Sequence, residues 1–227
     1  MESVDLPVQP PLDPMLAKAA ETVPDDPGVW SYEPKWDGFR ALVFRDGDEV
    51  VLLSRSGKEL GRYFPELVES LRDELSVRCV LDGEVVVPRE IDGRIRLDWE
   101  SLSQRIHPAE SRIRMLAEQT PSHFIGFDAL ATGDRSLLAE PFRERRRALV
   151  DLVNDRLSLK HHRCHVTRTT EDPELGKNWL TTFEGAGLDG VIAKRLDGHY
   201  VPGKREMVKV KHKRDADCVA IGYRIHK

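Results

Sequence analysis

The spacing of apolar residues changes twice between positions 41 and 87, and each change marks an element. Residues 41–44 and 49–53 are apolar runs separated by Arg45-Asp46-Gly47-Asp48, and Asp-Gly between two such runs predicts a β-hairpin. Lys35 then stands on the chain entering that hairpin. Over residues 64–75, Phe64, Leu67, Val68, Leu71 and Leu75 follow the i, i+3, i+4, i+7 spacing of an amphipathic helix, with Pro65 tolerated in its first turn. Residues 77–87 are β-branched around Asp82-Gly83-Glu84 and predict a strand.

Further along, one-sided apolar spacing predicts helices over 97–105, 109–119, 141–153 and 173–186. Residues 123–130 read as a strand, 162–169 as extended chain and 190–193 as a short buried strand. The prolines between Pro7 and Pro27 suit an extended segment laid over the domain, with a short helix at 14–20. A compact fold is expected from near Trp30. The sum is an α+β fold with mostly antiparallel neighbours. The chain shows neither a repeat nor a low-complexity tract, which excludes solenoids and arrays.

Composition adds limits to this picture. A chain of 227 residues with 40% hydrophobic and 33% charged residues can bury a core and stay soluble. It has neither a basic N-terminal region followed by an apolar run nor a stretch near the ~18 apolar residues that span a bilayer. A cytoplasmic protein without a membrane partner is expected. Cys79, Cys164 and Cys218 lie far apart, as reduced thiols do, and not as a disulfide framework. Charge is uneven: residues 194–227 hold ten Lys or Arg against four Asp or Glu, a net of +6, leaving −10 on residues 1–193. Such a basic block steers a polyanion or forms an ordinary solvated face.

Lys35-Trp36-Asp37-Gly38-Phe39-Arg40 carries the densest chemistry. A lysine beside cationic or apolar walls loses its proton more easily and attacks an electrophile, whereas the plain alternative is an exposed Lys35 paired with Asp37. Phe127, on a strand, reads first as a core residue. Lys209 and Lys211 alternate on a strand and point to one face; a lysine-rich edge that discourages sheet pairing is the other reading. His161-His162-Arg163-Cys164-His165 contains zinc-ligand types, but strand alternation splits them across two faces, and a basic exposed strand explains them.

Five further strings follow Lys35 in order: Ser54-Arg55-Ser56-Gly57, Leu81-Asp82-Gly83-Glu84, Phe124-Ile125-Gly126-Phe127-Asp128, Leu188-Asp189-Gly190-Val191-Ile192-Ala193-Lys194 and Val208-Lys209-Val210-Lys211. With the Lys35 hexapeptide they resemble the ordered motifs of the covalent nucleotidyltransferases, specifically the adenylation domain of ATP-dependent DNA ligases. The closest flavour is bacterial repair ligase, similar to the ligase module of ligase D and its stand-alone, ligase C-like relatives. Pro10-Pro11-Leu12-Asp13-Pro14-Met15-Leu16-Ala17 adds to that likeness.

The resemblance implies an ATP-grasp-like covalent nucleotidyltransferase fold, with antiparallel sheets flanked by helices. It implies that Lys35 attacks the α-phosphate of ATP and keeps AMP, which then passes to a DNA 5′-phosphate. Catalytic roles fall on Lys35, Lys209 and Lys211. Glu33, Arg40, Arg55, Glu84, Phe127, Lys209 and Lys211 would bind the nucleotide: Glu33 for adenine selectivity, Arg40 and Arg55 for ribose and phosphates, Glu84 for a ribose hydroxyl, Phe127 for stacking on the base. Glu84 and Asp189 would hold Mg²⁺ or Mn²⁺. Two departures stand out, Asp189 where the family usually has Glu and Met207 where a tryptophan is common.

The same resemblance divides the chain into a packed N-terminal segment at 1–28, an adenylation domain at 29–215 and, at 216–227, the start of a truncated OB-fold domain. Nicked or broken duplex DNA is the implied partner, for a monomer in the bacterial cytoplasm associated with the nucleoid. RNA ligases and mRNA-capping guanylyltransferases share the lysine chemistry, and a non-catalytic nucleotide-binding module is the alternative from another class.

Overall fold

The computed structural model describes residues 4–154, 162–182 and 188–211. Two sheets face each other across the chain's polar strings. The smaller runs in the order β1 (Leu16–Ala19), β12 (Arg205–Lys211), β11 (Leu188–Arg195), β2 (Trp30–Trp36). The larger runs in the order β10 (Cys164–Val166), β8 (His123–Thr132), β5 (Cys79–Val86), β3 (Phe39–Asp46), β4 (Glu49–Ser54), with β9 (Arg135–Ser136) beside β8. A separate ribbon pairs β6 (Pro88–Ile91) with β7 (Arg94–Leu97). Pairing is antiparallel except for β1 with β12 and β10 with β8.

The helices are α1 (Pro65–Glu74), α2 (Trp99–Gln104), α3 (Glu110–Gln119), α4 (Phe142–Asn154) and α5 (Pro173–Thr182). The predicted stripe of α1 buries Leu67 and Leu71 against Leu81, Phe124 and Leu149. A second core lies between the sheets, where Val4, Leu6, Val8 and Met15 of the N-terminal segment meet Leu42, Phe44, Val80 and Leu130. Under α5 a third joins Trp179 to Tyr32, Val191 and Val208. Among the described residues no helix is long and apolar enough to cross a membrane.

Three expectations change. Residues 14–20 form no helix, because their backbone completes the edge of β12: Leu16 N–H donates to Lys204 O at 2.7 Å and Ala20 N–H to Lys209 O at 3.0 Å. Lys35 does not enter the β3–β4 hairpin; it lies on β2 in the smaller sheet, and the chain changes sheets at Asp37 and Gly38. A Cβ on Gly38 would stand 2.2 Å from Val85 O, so only glycine permits this crossing. Residues 162–165 are not a solvated strand. Arg163 and Cys164 donate their N–H groups to the Glu74 carboxylate at 2.7 and 3.0 Å, Cys164 is fully buried, and the His165 ring stacks on His123.

The ribbon β6–β7 was absent from the sequence reading, although Asp92 (φ 53°) and Gly93 (φ 71°) make the two-residue turn that Asp-Gly favours. Residues 183–186 of the expected fifth helix, together with His161, Cys218 and the segment 216–227, lie outside the described residues.

Candidate active site

Strand register builds one wall of a cleft between the sheets. Ile192 on β11 is paired with Glu33 on one side and Lys209 on the other, and Lys209 is paired with Ala19 of β1. Residues directly opposite share a face, so Glu33, Ile192, Lys209 and Ala19 form one row, and all four line the cleft. Lys35, two residues beyond Glu33, falls on the same side.

At Lys35 the register shifts between Leu188 and Val191, so Asp189 and Gly190 stand against one residue of β2, as in a β-bulge. Gly190 has φ +145°, and a Cβ there would lie 2.0 Å from Val210 O. The bulge aims the Asp189 carboxylate at two lysines: its Oδ2 accepts from Lys35 Nζ at 2.9 Å and Lys211 Nζ at 2.6 Å. Lys35 thus pairs with Asp189 and not with the neighbouring Asp37. Burial alone would raise the Asp189 carboxyl, but hydrogen bonds from Lys211 and Lys35 outweigh it and hold the group below its ordinary range.

The opposite wall comes from the larger sheet. Arg40 and Glu84 are register partners on β3 and β5. The Arg40 guanidinium forks onto Asp82, Nε to Oδ1 and Nη2 to Oδ2 at 2.6 Å each, donates to Met15 O at 3.1 Å, and lies 4.7 Å from the Phe127 ring centroid. Burial opposes its charge, but Asp82 overrides that and keeps it firmly protonated. Arg40 thus props Phe127 through Nε and Nη2 and also lines the cleft. Arg55 reaches the cleft from the turn after β4.

Beneath Phe127 lies a buried lysine. Lys194 Nζ donates to Phe127 O at 2.9 Å, pairs with Glu33 Oε1 at 2.9 Å and sits 4.7 Å from the Phe127 ring centroid. Burial pushes the Glu33 carboxyl up while Lys194 pulls it down, with the net upward. Glu33 Oε2 is buried with no hydrogen-bond partner among the described residues. An acceptor left unpaired at a cleft wall suits a donor brought by a ligand.

The cleft has a volume of about 350 Å³ and is lined by Glu33, Lys35, Arg40, Arg55, Glu84, Phe127 and Lys209 among others. Of the residues singled out in the sequence, these seven meet at one cleft, and Asp189 with Lys211 joins through Lys35. Met207, in place of the family's tryptophan, also lines it. Residues 14–211 match the family described as ATP dependent DNA ligase domain. The chain belongs to that family.

This ligase-family chain is 78% identical over 224 residues to DNA ligase C1 of Mycolicibacterium smegmatis, covering 99% of the chain and 63% of that protein. It is 54% identical to DNA ligase C of Mycobacterium tuberculosis, covering 99% of itself and 61% of that protein. The solved ligase domain of M. tuberculosis LigD superposes with TM-score 0.64 at 32% identity, over 88% of this chain and 59% of that one. A mycobacterial DNA ligase D solved with ATP and MES gives TM-score 0.65 at 32% identity, over 88% and 60%. The chain thus spans about three fifths of the length of these two curated relatives.

Four residues of the ligase-family site had no role in the sequence reading: Asp82, Lys194, Tyr200 and Ile192. Tyr200 O–H donates to Asp82 Oδ2 at 2.7 Å and so completes the seat of Arg40. Asp82, Ile192 and Lys194 stand inside the quoted strings, so the signal was present. What was missing was the knowledge that Asp82 and Lys194 are buried, at 0% and 2% exposure.

Glu84 is strained in charge. Burial pushes its carboxyl up to about 7, against the pull of Arg40 and Lys35 and a hydrogen bond from Gly38 N–H at 3.2 Å. The unfolded chain releases this proton in the ordinary carboxylate range, so the folded state is penalised increasingly as pH rises to 7. Glu84→Gln is expected to raise the melting temperature at pH 8 and leave it unchanged at pH 4.5. Equal shifts in thermal scans at the two pH values would contradict a titrating Glu84.

Proposed function

We propose that the chain is the nucleotidyl-transferring core of an ATP-dependent DNA ligase acting in repair. Lys35 Nζ attacks the α-phosphorus of ATP, a P–N bond forms, the bond to pyrophosphate breaks, and the AMP held on Lys35 passes to a DNA 5′-phosphate for strand joining. The observation that carries this reading is the joining of Lys35 and Lys211 through one Asp189 oxygen, beside a cleft that ends at Glu33 and Phe127.

Each residue then has a task its surroundings support. Glu33 accepts from the adenine amino group through its unpaired oxygen, and Phe127 stacks on the base. Asp189 orients the Lys35 amine. Lys209 and Lys211 meet negative charge as it builds at the α-phosphate, the electrostatic help that phosphoryl transfer needs most. Arg55, exposed at the rim, takes a phosphate with paired donors.

Among the described residues no group of three or more His, Cys, Asp or Glu is arranged to hold a metal. Magnesium fits that condition, because it binds through one or two carboxylates plus substrate phosphates and retained waters. Glu84 and Asp189 would hold Mg²⁺ or Mn²⁺, and the ion would neutralise phosphate charge. The same reading assigns residues 1–28 to a packed N-terminal segment, 29–215 to the adenylation domain and 216–227 to the start of an OB-fold domain.

Incubation with magnesium and either ATP or GTP, followed by intact-mass measurement, tests the reading. One AMP per chain with ATP and none with GTP is expected. A GMP adduct would transfer the chain to the capping class, and no adduct from either nucleotide would leave a binding module.

A further inference from the structure

The ribbon β6–β7 does not line the cleft and carries three arginines, one of which has a side-chain partner among the described residues. Its register sets Arg89 opposite Arg96 and Ile91 opposite Arg94. Opposed residues and their neighbours two along share a face, so Arg89, Arg94 and Arg96 gather on one side of the ribbon. Of the ribbon's two acids, Glu90 faces the other way with Ile95 and Asp92 sits in the turn. All three arginines are exposed. The Arg89 side chain has one partner, Asp98 Oδ2 at 3.2 Å, while the Arg94 and Arg96 side chains make no ion pair or hydrogen bond among the described residues. Like charges directly opposite destabilise a strand pair. The arrangement suits an external polyanion that neutralises them.

The position of the ribbon narrows the choice of polyanion. β5 carries the chain from Glu84 in the cleft to Val86, and β6 begins at Pro88, four residues on from Glu84 and so within roughly 13 Å of it along the chain. The ribbon's base is fixed to the nucleophile segment as well. Asp98 N–H donates to Val87 O at 2.8 Å, and Trp99 packs edge-on against Phe39, four residues after Lys35, with ring centroids 5.6 Å apart. A strand end presented to Lys35 brings its flanking phosphates to this distance.

We propose that the arginine face of β6–β7 grips backbone phosphates of duplex DNA next to the strand end that enters the cleft. This rests on the ligase reading of the cleft and adds the surface that fixes substrate register. Guanidinium forks meet phosphate oxygens with paired donors, and such contacts position a duplex without reading its sequence.

The test uses the 227-residue chain and its R89Q/R94Q/R96Q variant on a nicked duplex, by fluorescence anisotropy over a salt series. The variant is expected to bind at least about 10-fold more weakly at low salt, and its slope of log K against log salt should be shallower by about 2 to 3. AMP transfer to Lys35, read by intact mass, should be unchanged, and R89K/R94K/R96K should recover most of the affinity. Wild-type DNA binding and slope in the glutamine variant would overturn the proposal while leaving the ligase reading intact. Loss of the adduct in that variant would also overturn it, since the ribbon would then be supporting the cleft. An unmodified wild-type chain would fail the ligase reading instead.

Discussion

Lys35→Arg is expected to abolish the AMP adduct while leaving the fold as stable as before. The guanidinium keeps the positive charge opposite Asp189, and the pair it replaces is partly solvated, with side-chain exposures of 20% and 21%. Pairs in that setting contribute about 0–1 kcal/mol, so urea midpoints should barely separate the two proteins. The chemistry is another matter. A guanidinium stays protonated at any working pH and presents no lone pair to phosphorus, so adduct formation should fall by at least about 10³-fold, below detection. Intact mass after prolonged incubation with ATP and magnesium decides it. One AMP per chain in the variant would move the nucleophile elsewhere, and Lys211, on the same Asp189 oxygen, would be the first to test.

The parts of this fold that the sequence disclosed are those with local causes. Helices α1, α3 and α4 were visible because a 3.6-residue period is set by the helix itself, and the β3–β4 hairpin because Gly47 (φ 62°) allows the tight two-residue loop Gly47-Asp48 between the paired Asp46 and Glu49. Strand β1 has no such cause. Its four residues are extended because β12, nearly 190 residues later, offers hydrogen bonds to them. The pairing of Lys35 illustrates the same limit within the site. The sequence offers Asp37 two residues away, but the observed partner is Asp189, placed by a bulge at Gly190 that only the assembled sheet reveals. Resemblance supplied the cleft residues as an ordered set, yet it gave Lys194 no role. A lysine near the end of a strand reads as a solvated charge until the fold buries it between Glu33 and Phe127.

Arg145→Met is expected to cost about 3–5 kcal/mol, the range for uncoupling a buried ion pair. Arg145 stands in the charged run Arg143-Glu144-Arg145-Arg146-Arg147, three residues after Phe142 and four before Leu149 on the apolar side of α4. The fold buries it completely. Its guanidinium forks onto Asp128 at 2.7 and 3.1 Å and donates to Glu140 O at 2.7 Å and Gly198 O at 2.8 Å. Methionine fills the space but leaves the Asp128 carboxylate at 1% exposure, with Lys194 4.0 Å away as its nearest remaining cation. Two carbonyls also lose their donor. Against a total stability of about 5–15 kcal/mol, that loss should move the urea midpoint well below wild type. Asp128→Asn should do similar damage from the other side by stranding the guanidinium. The double variant D128N/R145M removes both charges, and its cost should be clearly smaller than the sum of the singles, because two residues in contact do not act additively. A cycle closing with no coupling would mean that Asp128 and Arg145 act independently. A strong coupling would tie the backbone of Phe127, next to Asp128 and held by Lys194, to the charge balance inside α4.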